Sequence, residues 1–410
     1  MKKTIRTIIL ILLATSIFLS ACVYEPELAP EAQTAVAQTL EMIVKQSQTP
    51  THTVTPNPPT ATATATSTVT PTSTPTLIPT ATQFASGPVD FPENVNPLTG
   101  LEVENPELLN RRPVFVKVSN YPVEGRPHAG LSFADMVFEY YTGYGGNRFM
   151  ALYYGQDCEK IGPVRSGRLV DRQIVYLYRG ILGFVSAWHT VLDEIYTTLG
   201  NRAISEGGNT CPGVCDDGRN TEYSVFGDSA ALTEIVRKKG LQLEDPNLDG
   251  MCFDPQSPTD GSDGNTVTVK FSDLNVGEWR YDSESGKYLR WIEEKTSPDT
   301  IRLIPLVDAL TDEQLAFSNV IIMYANYEEY GLALHDIHIW DNYSKMRAVI
   351  FRDGQAHDVF WRTADGPIRF IYADGTDFPL KPGNSWVVIM GHSTPSSVSD
   401  GAWTFRNYIY

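Results

Sequence analysis

A Thr/Pro-rich tract divides this 410-residue chain and limits which part of it can fold. From residue 49 to residue 86 the sequence is almost entirely Thr, Pro, Ala and Ser. Such a segment has too little apolar surface to offset the entropy that is lost when a chain becomes ordered. Its prolines favour an extended spacer that rises about 3.1 Å per residue. We therefore predict a disordered stalk over 49–86 and a folded region over 87–410.

The start of the chain has the pattern of an export signal. Lys2, Lys3 and Arg6 precede an apolar run from Ile8 to Leu19, and Cys22 follows a Ser-Ala pair. The run is shorter than the roughly 20 residues that a membrane-spanning helix needs. The motif Leu-Ser-Ala-Cys is similar to the lipobox of bacterial lipoproteins, in which the cysteine is lipidated and becomes the first mature residue. The alternative is an ordinary secretory signal with an incidental cysteine.

These observations predict how the first part of the chain is organised. We expect a signal peptide over 1–21 and a lipid-anchored segment over 22–48, followed by the stalk. The lipid on Cys22 would attach the protein to the cell membrane without a transmembrane helix, because buried acyl chains provide the anchoring free energy. The expected location is therefore extracytoplasmic, with the folded region held away from the membrane.

The charge of the chain argues against two classes of partner. The formal net charge is −17, and an acidic protein is repelled at long range by nucleic acid and by anionic lipid. We therefore expect no nucleic-acid partner. A solvated acidic surface that keeps the protein soluble is the simplest explanation of the charge. The sequence has neither a phosphate-binding P-loop nor a dinucleotide-binding fingerprint, so it predicts no cofactor.

Four cysteines lie in the folded region, at positions 158, 211, 215 and 252. Disulfides persist outside the cytoplasm, and four cysteines allow three pairings. We predict one disulfide between Cys211 and Cys215 and a second between Cys158 and Cys252. A zinc site is the alternative, but two cysteines three residues apart, without a second close pair or a nearby His, have poor spacing for zinc. We predict no metal site.

The folded region changes character near residue 255. Before it, strands alternate with helices, which indicates an α/β domain with a mixed sheet over 87–254. We predict strands at 114–118, 136–141, 148–154 and 181–187, and helices at 169–178, 190–199 and 229–239.

After an Asp/Pro/Gly/Ser-rich stretch at 254–264, short apolar segments recur between Gly and Asp-Gly turns. This pattern predicts a mainly antiparallel β domain, a barrel or a sandwich, over 255–410. The predicted strands are 266–271, 288–291, 320–324, 335–340, 347–351, 357–362, 368–372 and 386–390.

Several short motifs in the folded region resemble one family of proteins. They lie at residues 96–101, 110–113, 126–131, 161–168, 288–290, 319–322 and 351–354. Together they are similar to the YerB-like lipoproteins, a family classed as a domain of unknown function (3048). The resemblance covers residues 95–395 and implies two adjoining domains in an envelope lipoprotein. It implies no activity. One departure is Trp188-His189, where the family pattern has small Gly or Ser residues.

The segment 161–168 is the first candidate site. It reads as a short strand, a turn containing Ser166 and Gly167, and the start of a helix, with Arg165 and Arg168 on either side of the turn. Backbone N–H groups at a helix start, together with two guanidiniums, favour a carboxylate or a phosphate. Ser166 is either a helix cap or a ligand contact. The alternative for the two arginines is ion pairing with Asp135, Glu139 or Asp171.

Glu139 is the second candidate because it lies in an otherwise apolar and aromatic strand. Burial of an unpaired carboxylate is costly and raises its pKa. Such a carboxylate suits a general acid in glycoside hydrolysis, where Asp135 or Asp193 would be the second carboxylate. The alternative is a buried ion pair with Arg148 across the hairpin.

His189 is the third candidate because it follows the end of a strand, where functional side chains of α/β sheets often lie. The alternative is a packed, hydrogen-bonded residue beside Trp188. Neither Ser166 nor Cys158 lies in a nucleophile elbow.

Three functions follow from these residues. The leading hypothesis is a binding module for an anionic cell-wall polymer or an envelope protein, with a cleft around Asn120, Glu139, Arg148, Arg165 and Arg168. The second is an envelope glycan hydrolase that uses Glu139 as the acid. The third is a protein-docking scaffold, which predicts an uncharged or blocked cleft.

Overall fold

The computed structural model describes residues 84–241, 246, 248–297, 299–363 and 366–410. The predicted signal peptide, the anchored segment with Cys22 and nearly all of the stalk lie outside the described residues. Within the described part, β-strands are the main secondary structure, and they form several sheets accompanied by three α-helices. None of the helices in this part is both long and apolar enough to cross a membrane.

The first half contains all three helices. Its strands are β1 (Val95–Asn96), β2 (Leu101–Glu102), β3 (Val114–Val118), β4 (Met136–Gly143), β5 (Gly146–Tyr153), β6 (Ile181–Phe184), β7 (Ala203–Ser205), β8 (Val214–Asp216) and β9 (Val225–Gly227). Its helices are α1 (Leu169–Leu177), α2 (His189–Leu199) and α3 (Ser229–Lys238). All the strands and helices predicted before residue 254 are present, with bounds that differ by at most a few residues.

The second half is built from strands alone among the described residues. They are β10 (Cys252–Phe253), β11 (Ser262–Asp263), β12 (Thr266–Ser272), β13 (Asn275–Asp282), β14 (Lys287–Ser297), β15 (Thr300–Pro305), β16 (Ala316–Phe317), β17 (Asn319–Gly331), β18 (Leu334–His338), β19 (Met346–Arg352), β20 (Gln355–Arg362), β21 (Arg369–Ile371), β22 (Pro379–Leu380), β23 (Ser385–Gly391), β24 (Ser396–Ser399) and β25 (Ala402–Arg406). The sequence did not predict β13, β15, β24 or β25.

Two large sheets organise these strands. The larger one has twelve strands, with the main order β11-β20-β19-β17-β23-β4-β5-β3-β6-β7, while β18 pairs with β17 and β21 with β20. The smaller one has seven, in the order β15-β14-β13-β12-β25-β24, with β16 beside β14. Strands that follow residue 255 are therefore divided between both sheets and form no separate barrel.

The junction between the two halves of the larger sheet is the parallel pair β4 and β23. Glu139 lies opposite Val388 in this pair, and five residue pairs define the register from Met136–Ser385 to Tyr140–Ile389. Residues on both sides of the predicted boundary at 254/255 thus share one hydrogen-bonded ladder. The division into domains at that boundary stays a prediction, and in the structure it crosses a continuous sheet.

Both faces of the larger sheet are buried. One face packs on α1 and α2 through side chains such as Phe115, Phe138 and Ile174. The other packs on α3 and on the smaller sheet, where Trp279 and Trp386 have ring centroids 5.7 Å apart. Successive side chains of a strand point to opposite faces of the sheet. Because both faces are buried here, the central strands are apolar at nearly every position, as in other sheets that are covered on both faces.

The cysteines form one of the two predicted disulfides. Cys211 and Cys215 are bonded, as the short loop between them suggested. Cys158 and Cys252 are both free, so the predicted second disulfide is wrong. Cys158 is buried and its Sγ lies 3.5 Å from the carbonyl oxygen of Lys160, whereas Cys252 lies on β10 beside Pro379. The even number of cysteines was therefore a poor guide to their pairing.

We expect the packing of the two sheets to carry much of the stability. Trp279 is fully buried, so Trp279→Ala should lower the free energy of unfolding by about 3–5 kcal/mol, the usual cost of truncating a large core side chain. Trp188 is 67% exposed, and Trp188→Ala should change the free energy by less than about 0.5 kcal/mol. Urea unfolding of both variants measures the difference, and equal losses would contradict this assignment of the core.

Candidate functional site

One edge of the larger sheet collects the carboxyl ends of six strands. β3, β6 and β7 are mutually parallel, as are β4, β23 and β17. Both sets run in the same direction, because β3 and β4 are each antiparallel to the β5 strand between them. Ligands of open α/β sheets bind at such an edge, which we call the carboxyl edge.

The segment 164–168 extends the sheet at the carboxyl edge. The N–H of Arg165 donates to the carbonyl of Lys117 at 2.9 Å, and the carbonyl of Arg165 accepts from Val185 at 3.1 Å. The N–H of Gly167 donates to Ser186 at 2.7 Å. The segment is therefore held between the ends of β3 and β6, and helix α1 begins directly after it.

Three arginines meet here, Arg148, Arg165 and Arg168, and we call them the arginine cluster. Arg148 comes from the start of β5 and the other two from the segment 164–168. Burial, together with the positive charges of Arg168 and Arg165, lowers the pKa of Arg148 to about 10. Burial also lowers the pKa of Arg168. The structure thus brings together the three arginines that the sequence singled out.

The partners of the cluster are mainly backbone carbonyls. Arg148 donates to the carbonyls of Tyr121 and Asn147, and Arg168 donates to the carbonyls of Ser166 and Gly167. Among the described residues, no carboxylate lies within 4 Å of the guanidinium nitrogens of either arginine. The carbonyls accept from Nη atoms but do not balance the positive charges, and the Nε of each arginine is buried with no hydrogen-bond partner among the described residues. The alternative, ion pairing of Arg165 and Arg168 with Asp135, Glu139 or Asp171, is therefore not observed among the described residues.

Arg165 differs because an acid does approach it. Its Nη2 lies 3.4 Å from a carboxylate oxygen of Glu222, whose side chain is 78% exposed. Its guanidinium also lies over the ring of Tyr223, 4.8 Å from the centroid. An ion pair this exposed contributes little to stability, and an incoming anion can take the place of Glu222.

Ser166 does not cap helix α1. The N-cap residue is Arg168, and its backbone N–H donates to the Asp171 carboxylate at 2.7 Å. The capping alternative for Ser166 is therefore wrong. A role as a ligand contact stays a prediction: Ser166 is half-buried within the turn between Arg165 and Arg168.

A buried polar triad lies beside the cluster, and the sequence analysis did not find it. Lys117, Tyr140 and Asp171 are all fully buried. Lys117 donates to Asp171 at 3.1 Å and to the Tyr140 hydroxyl, which itself donates to Asp171. Burial lowers the pKa of Lys117 to about 7 even though Asp171 opposes the shift. Lys117 could have been identified from the sequence, because it is a charged residue in an otherwise apolar strand, as Glu139 is.

Glu139 lies on the face of the larger sheet opposite to the arginine cluster, and its ion-pair partner is not the expected one. Its carboxylate pairs with Arg290 of the smaller sheet at 3.3 Å and accepts from the Trp386 indole at 2.7 Å. Arg148 is not its partner, because residues 139 and 148 are not opposite each other in the hairpin: Glu139 faces Phe149, and Tyr140 faces Arg148. The predicted Glu139–Arg148 pair is wrong.

This second polar network is closed. Asn147 donates to Glu139 and accepts from Asn120 at 2.8 Å, and Asn120 accepts from Arg126 at 3.2 Å. Burial raises the pKa of Glu139, and the charge of Arg290 opposes the rise. Glu139 is 1% exposed. A carboxylate so enclosed has no access to a glycan, so the geometry gives no support to Glu139 as a general acid.

Asp135 and Asp193, the two candidates for the second carboxylate of a glycan hydrolase, also lie away from Glu139. Asp135 accepts from the Tyr154 and Gly155 backbone and from Asn96, and burial raises its pKa to about 6. Asp193 lies on helix α2, on the other side of the sheet from Glu139. The cleft that the sequence predicted is thus split by the sheet, with the arginine cluster on one face and Asn120 and Glu139 on the other.

His189 is the first residue of helix α2 and is exposed to solvent. Its ring contacts that of Trp188, with centroids 4.8 Å apart. The alternative of a packed, hydrogen-bonded His189 is wrong because the residue is exposed. Its expected contact with Trp188 is present. The preceding Ser186 is bonded to Gly167, so His189 belongs to the loop next to the arginine cluster.

The fold and the site define a β-rich protein whose candidate site is a group of buried and partly buried arginines at the carboxyl edge. Within the described ranges, no group of three or more His, Cys, Asp or Glu is arranged to hold a metal ion. Two family models match the chain: residues 98–242 match the N-terminal domain of the "Protein of unknown function (DUF3048)", and residues 267–387 match its C-terminal domain. The chain belongs to this family.

The relatives agree with this assignment. The protein named "Putative lipoprotein YerB" of Bacillus subtilis (strain 168) is 26% identical over 323 residues, which cover 74% of this chain and 88% of the relative. The crystal structure of the YerB protein from Bacillus subtilis matches with a TM-score of 0.58 at 24% sequence identity, covering 72% of this chain and 96% of that one. The structural likeness supports the fold.

We predict that Arg290 is needed for stability because it balances the buried charge of Glu139. Arg290→Met should lower the free energy of unfolding by about 3–5 kcal/mol, the cost of leaving one partner of a buried ion pair. Adding Glu139→Gln should recover most of this loss. Arg302→Met is the control: its side chain is 66% exposed, so the change should be within about 1 kcal/mol. Chemical unfolding that showed no recovery in the double variant would contradict the assigned pair.

Proposed function

We propose that the protein is a lipid-anchored component of the cell envelope. The signal pattern, the Leu-Ser-Ala-Cys motif ending at Cys22 and the word lipoprotein in the name of its relative support this location. The Thr/Pro tract after the anchor would hold the folded region away from the membrane, because proline-rich segments are extended.

Cys22→Ser provides the test of the anchor. Without the thiol no diacylglyceryl group can be attached, so the variant should lose metabolic labelling by palmitate. Processing at the motif requires the cysteine, so any variant protein left in the membrane fraction should be the larger precursor that keeps its signal peptide, which immunoblotting distinguishes by size. Cys252→Ser is the matched control and should keep both the label and the location. Labelling of the Cys22 variant would contradict the proposal.

We propose further that the arginine cluster binds an anionic group of an envelope component. The observation that carries this is the absence, among the described residues, of a carboxylate within 4 Å of the guanidinium nitrogens of Arg148 and Arg168. Positive charges that are partly buried and unbalanced raise the energy of the free protein. A carboxylate or phosphate placed between the guanidiniums would balance them through charge-assisted, bidentate hydrogen bonds.

The location of the cluster suits a polymer or protein ligand. The exposed Trp188 and His189 lie on the neighbouring loop, and Tyr223 lies under Arg165. Flat rings beside guanidiniums can contact the uncharged parts of a ligand whose anionic group is held by the arginines. The docking-scaffold alternative required an uncharged or blocked cleft, and the unbalanced arginines favour the binding module over it.

Replacing Arg165 and Arg168 by Ala tests this function. Hydrogen bonds between charged groups contribute about 1.5–3 kcal/mol each, so the double variant should bind isolated cell walls at least about tenfold more weakly. The measurement is sedimentation of purified protein with cell walls, with mass spectrometry of any soluble fragments. The control is Arg302→Ala with Arg347→Ala, two exposed arginines paired with Glu294 and Asp358, because it removes the same charge elsewhere.

The outcomes separate the candidate functions. Weaker sedimentation of the cluster variant alone supports the arginine site. Equal sedimentation of all three proteins would remove the cluster from the function. Release of glycan fragments that stops with Glu139→Gln would instead establish the hydrolase.

A further inference from the structure

The buried Lys117 lies directly beside the arginine cluster and adds a fourth cation to it. Its ammonium is fully enclosed and is bonded to Asp171 and Tyr140. Arg168 and Arg148 both lie near enough to lower its pKa. A positive charge placed so deep cannot contact a large ligand itself, but it adds to the electric field at the guanidiniums above it.

The acids near the site do not balance these four cations. Asp171 is buried and fully used, since it accepts from Lys117, from the Tyr140 hydroxyl and from the Arg168 backbone. The Glu222 side chain is exposed and its carboxylate lies 3.4 Å from Arg165, so a ligand can displace the carboxylate while Arg165 keeps its 2.9 Å hydrogen bond to the Glu222 backbone carbonyl. With Lys117 protonated and Glu222 displaced, three positive charges remain beyond the one that Asp171 neutralises.

Resting on the proposed function, we propose that the arginine cluster takes a doubly charged oxyanion of the phosphate class in preference to a single carboxylate, and that Lys117 must be protonated for full affinity. A tetrahedral dianion has enough oxygens to accept from three guanidiniums at once. A single carboxylate has two oxygens and one charge, so it leaves the field of the site largely uncompensated.

The groups around Lys117 favour coupling between its protonation and the ligand. Asp171 on α1 is the one carboxylate bonded to it, and Arg148 and Arg168 repel its charge. Tyr140 on β4 has a pKa raised by burial and stays neutral near pH 7. From the β17–β18 hairpin, Tyr327 acts on Tyr140, and His335, whose pKa is lowered by burial, acts on Arg168. Lys117 is therefore the group at this site that changes charge near pH 7.

The direction of the pH effect follows from this arrangement. The pKa of Lys117 in the free protein is about 7, and a nearby dianion favours the protonated lysine and so raises that value. Ligand binding then takes up a proton, and affinity falls as the pH rises above 7. If the ligand raises the pKa by about one unit, affinity at pH 8 is about fivefold lower than at pH 6, and about 0.4 proton is taken up at pH 7.

Calorimetric titration of the purified full-length protein with sulfate and with acetate tests the inference. Sulfate keeps two charges and acetate one between pH 6 and pH 8, so a change in affinity reports on the protein. Sulfate should bind at least about tenfold more tightly than acetate at pH 6, and about fivefold more weakly at pH 8 than at pH 6. Repeating the titration at pH 7 in two buffers of different ionisation enthalpy measures the proton uptake.

Two variants test whether Lys117 causes the pH dependence and whether Glu222 competes with the ligand. Lys117→Met with Asp171→Asn removes the ion pair as a unit and should abolish both the pH dependence and the proton uptake. Glu222→Gln removes the displaceable acid and should strengthen sulfate binding about threefold with the pH dependence intact. If the first variant does not fold, proton uptake by the unaltered protein and the effect of Glu222→Gln still decide the question.

Equal affinity for sulfate and acetate, or a pH dependence that persists without Lys117, would overturn the inference. This failure is distinct from failure of the proposed function. If wall binding depends on Arg165 and Arg168 but the site binds sulfate and acetate equally, the cluster is an anion site without a preference for dianions. If wall binding does not depend on either arginine, the cluster is not the binding site.

Discussion

Burial of the larger sheet on both faces is the constraint on which the rest of the structure depends. A strand that is covered twice cannot direct a charged side chain to solvent, so each charge on the central strands must find a partner inside the protein. Glu139 on β4 is balanced by Arg290 of the smaller sheet, and Lys117 on β3 is balanced by Asp171 of helix α1. These ion pairs, one on each face, link the sheet to the layers that cover it.

The two networks have different chemical consequences. Around Glu139, amide and indole groups bind the buried carboxylate, and the network approaches solvent at Arg126, whose side chain is 14% exposed; this arrangement suits a role in holding the two sheets together. Around Lys117, the network continues to the carboxyl edge and ends in guanidiniums that only carbonyls and an exposed glutamate satisfy. In the first network the charges are paired, Glu139 with Arg290 and Glu293 with Arg126. The second network has unpaired positive charge, and this difference is why we propose the arginines as the binding site.

The sequence predicted the structural features that residues close together in the chain determine. The turn and the helix over residues 165–178 were evident in the sequence, and with them the meeting of Arg165 and Arg168, whereas the short strand predicted before the turn is present only as isolated bridges. Long-range pairing was not evident. The parallel ladder between β4 and β23 joins residues almost 250 positions apart, and no periodicity reveals it. For the same reason the sequence assigned Arg148 to Glu139: the two are close along the hairpin, but their side chains lie on opposite faces. The missed strand β13 carries several polar residues, which weaken its apolar pattern, and the missed strand β15 is short and has no buried residue.

The site at the carboxyl edge also depends on both halves of the chain. Asp171, which holds Lys117, lies on helix α1, and the next two residues fix that helix to the β17–β18 hairpin. Arg172 pairs with Asp336 at 3.1 Å, and Gln173 donates to Asp336 at 2.7 Å and accepts from Ile339 at 2.9 Å. The hairpin belongs to the second half of the chain, while the arginines belong to the first. Separation of the halves would release α1 from the hairpin, break the ladder between β4 and β23, and leave Glu139 without Arg290. The proposed binding site, made of arginines from the first half, therefore needs the second half to keep its geometry, which gives a physical reason for the two family domains to occur together in this chain.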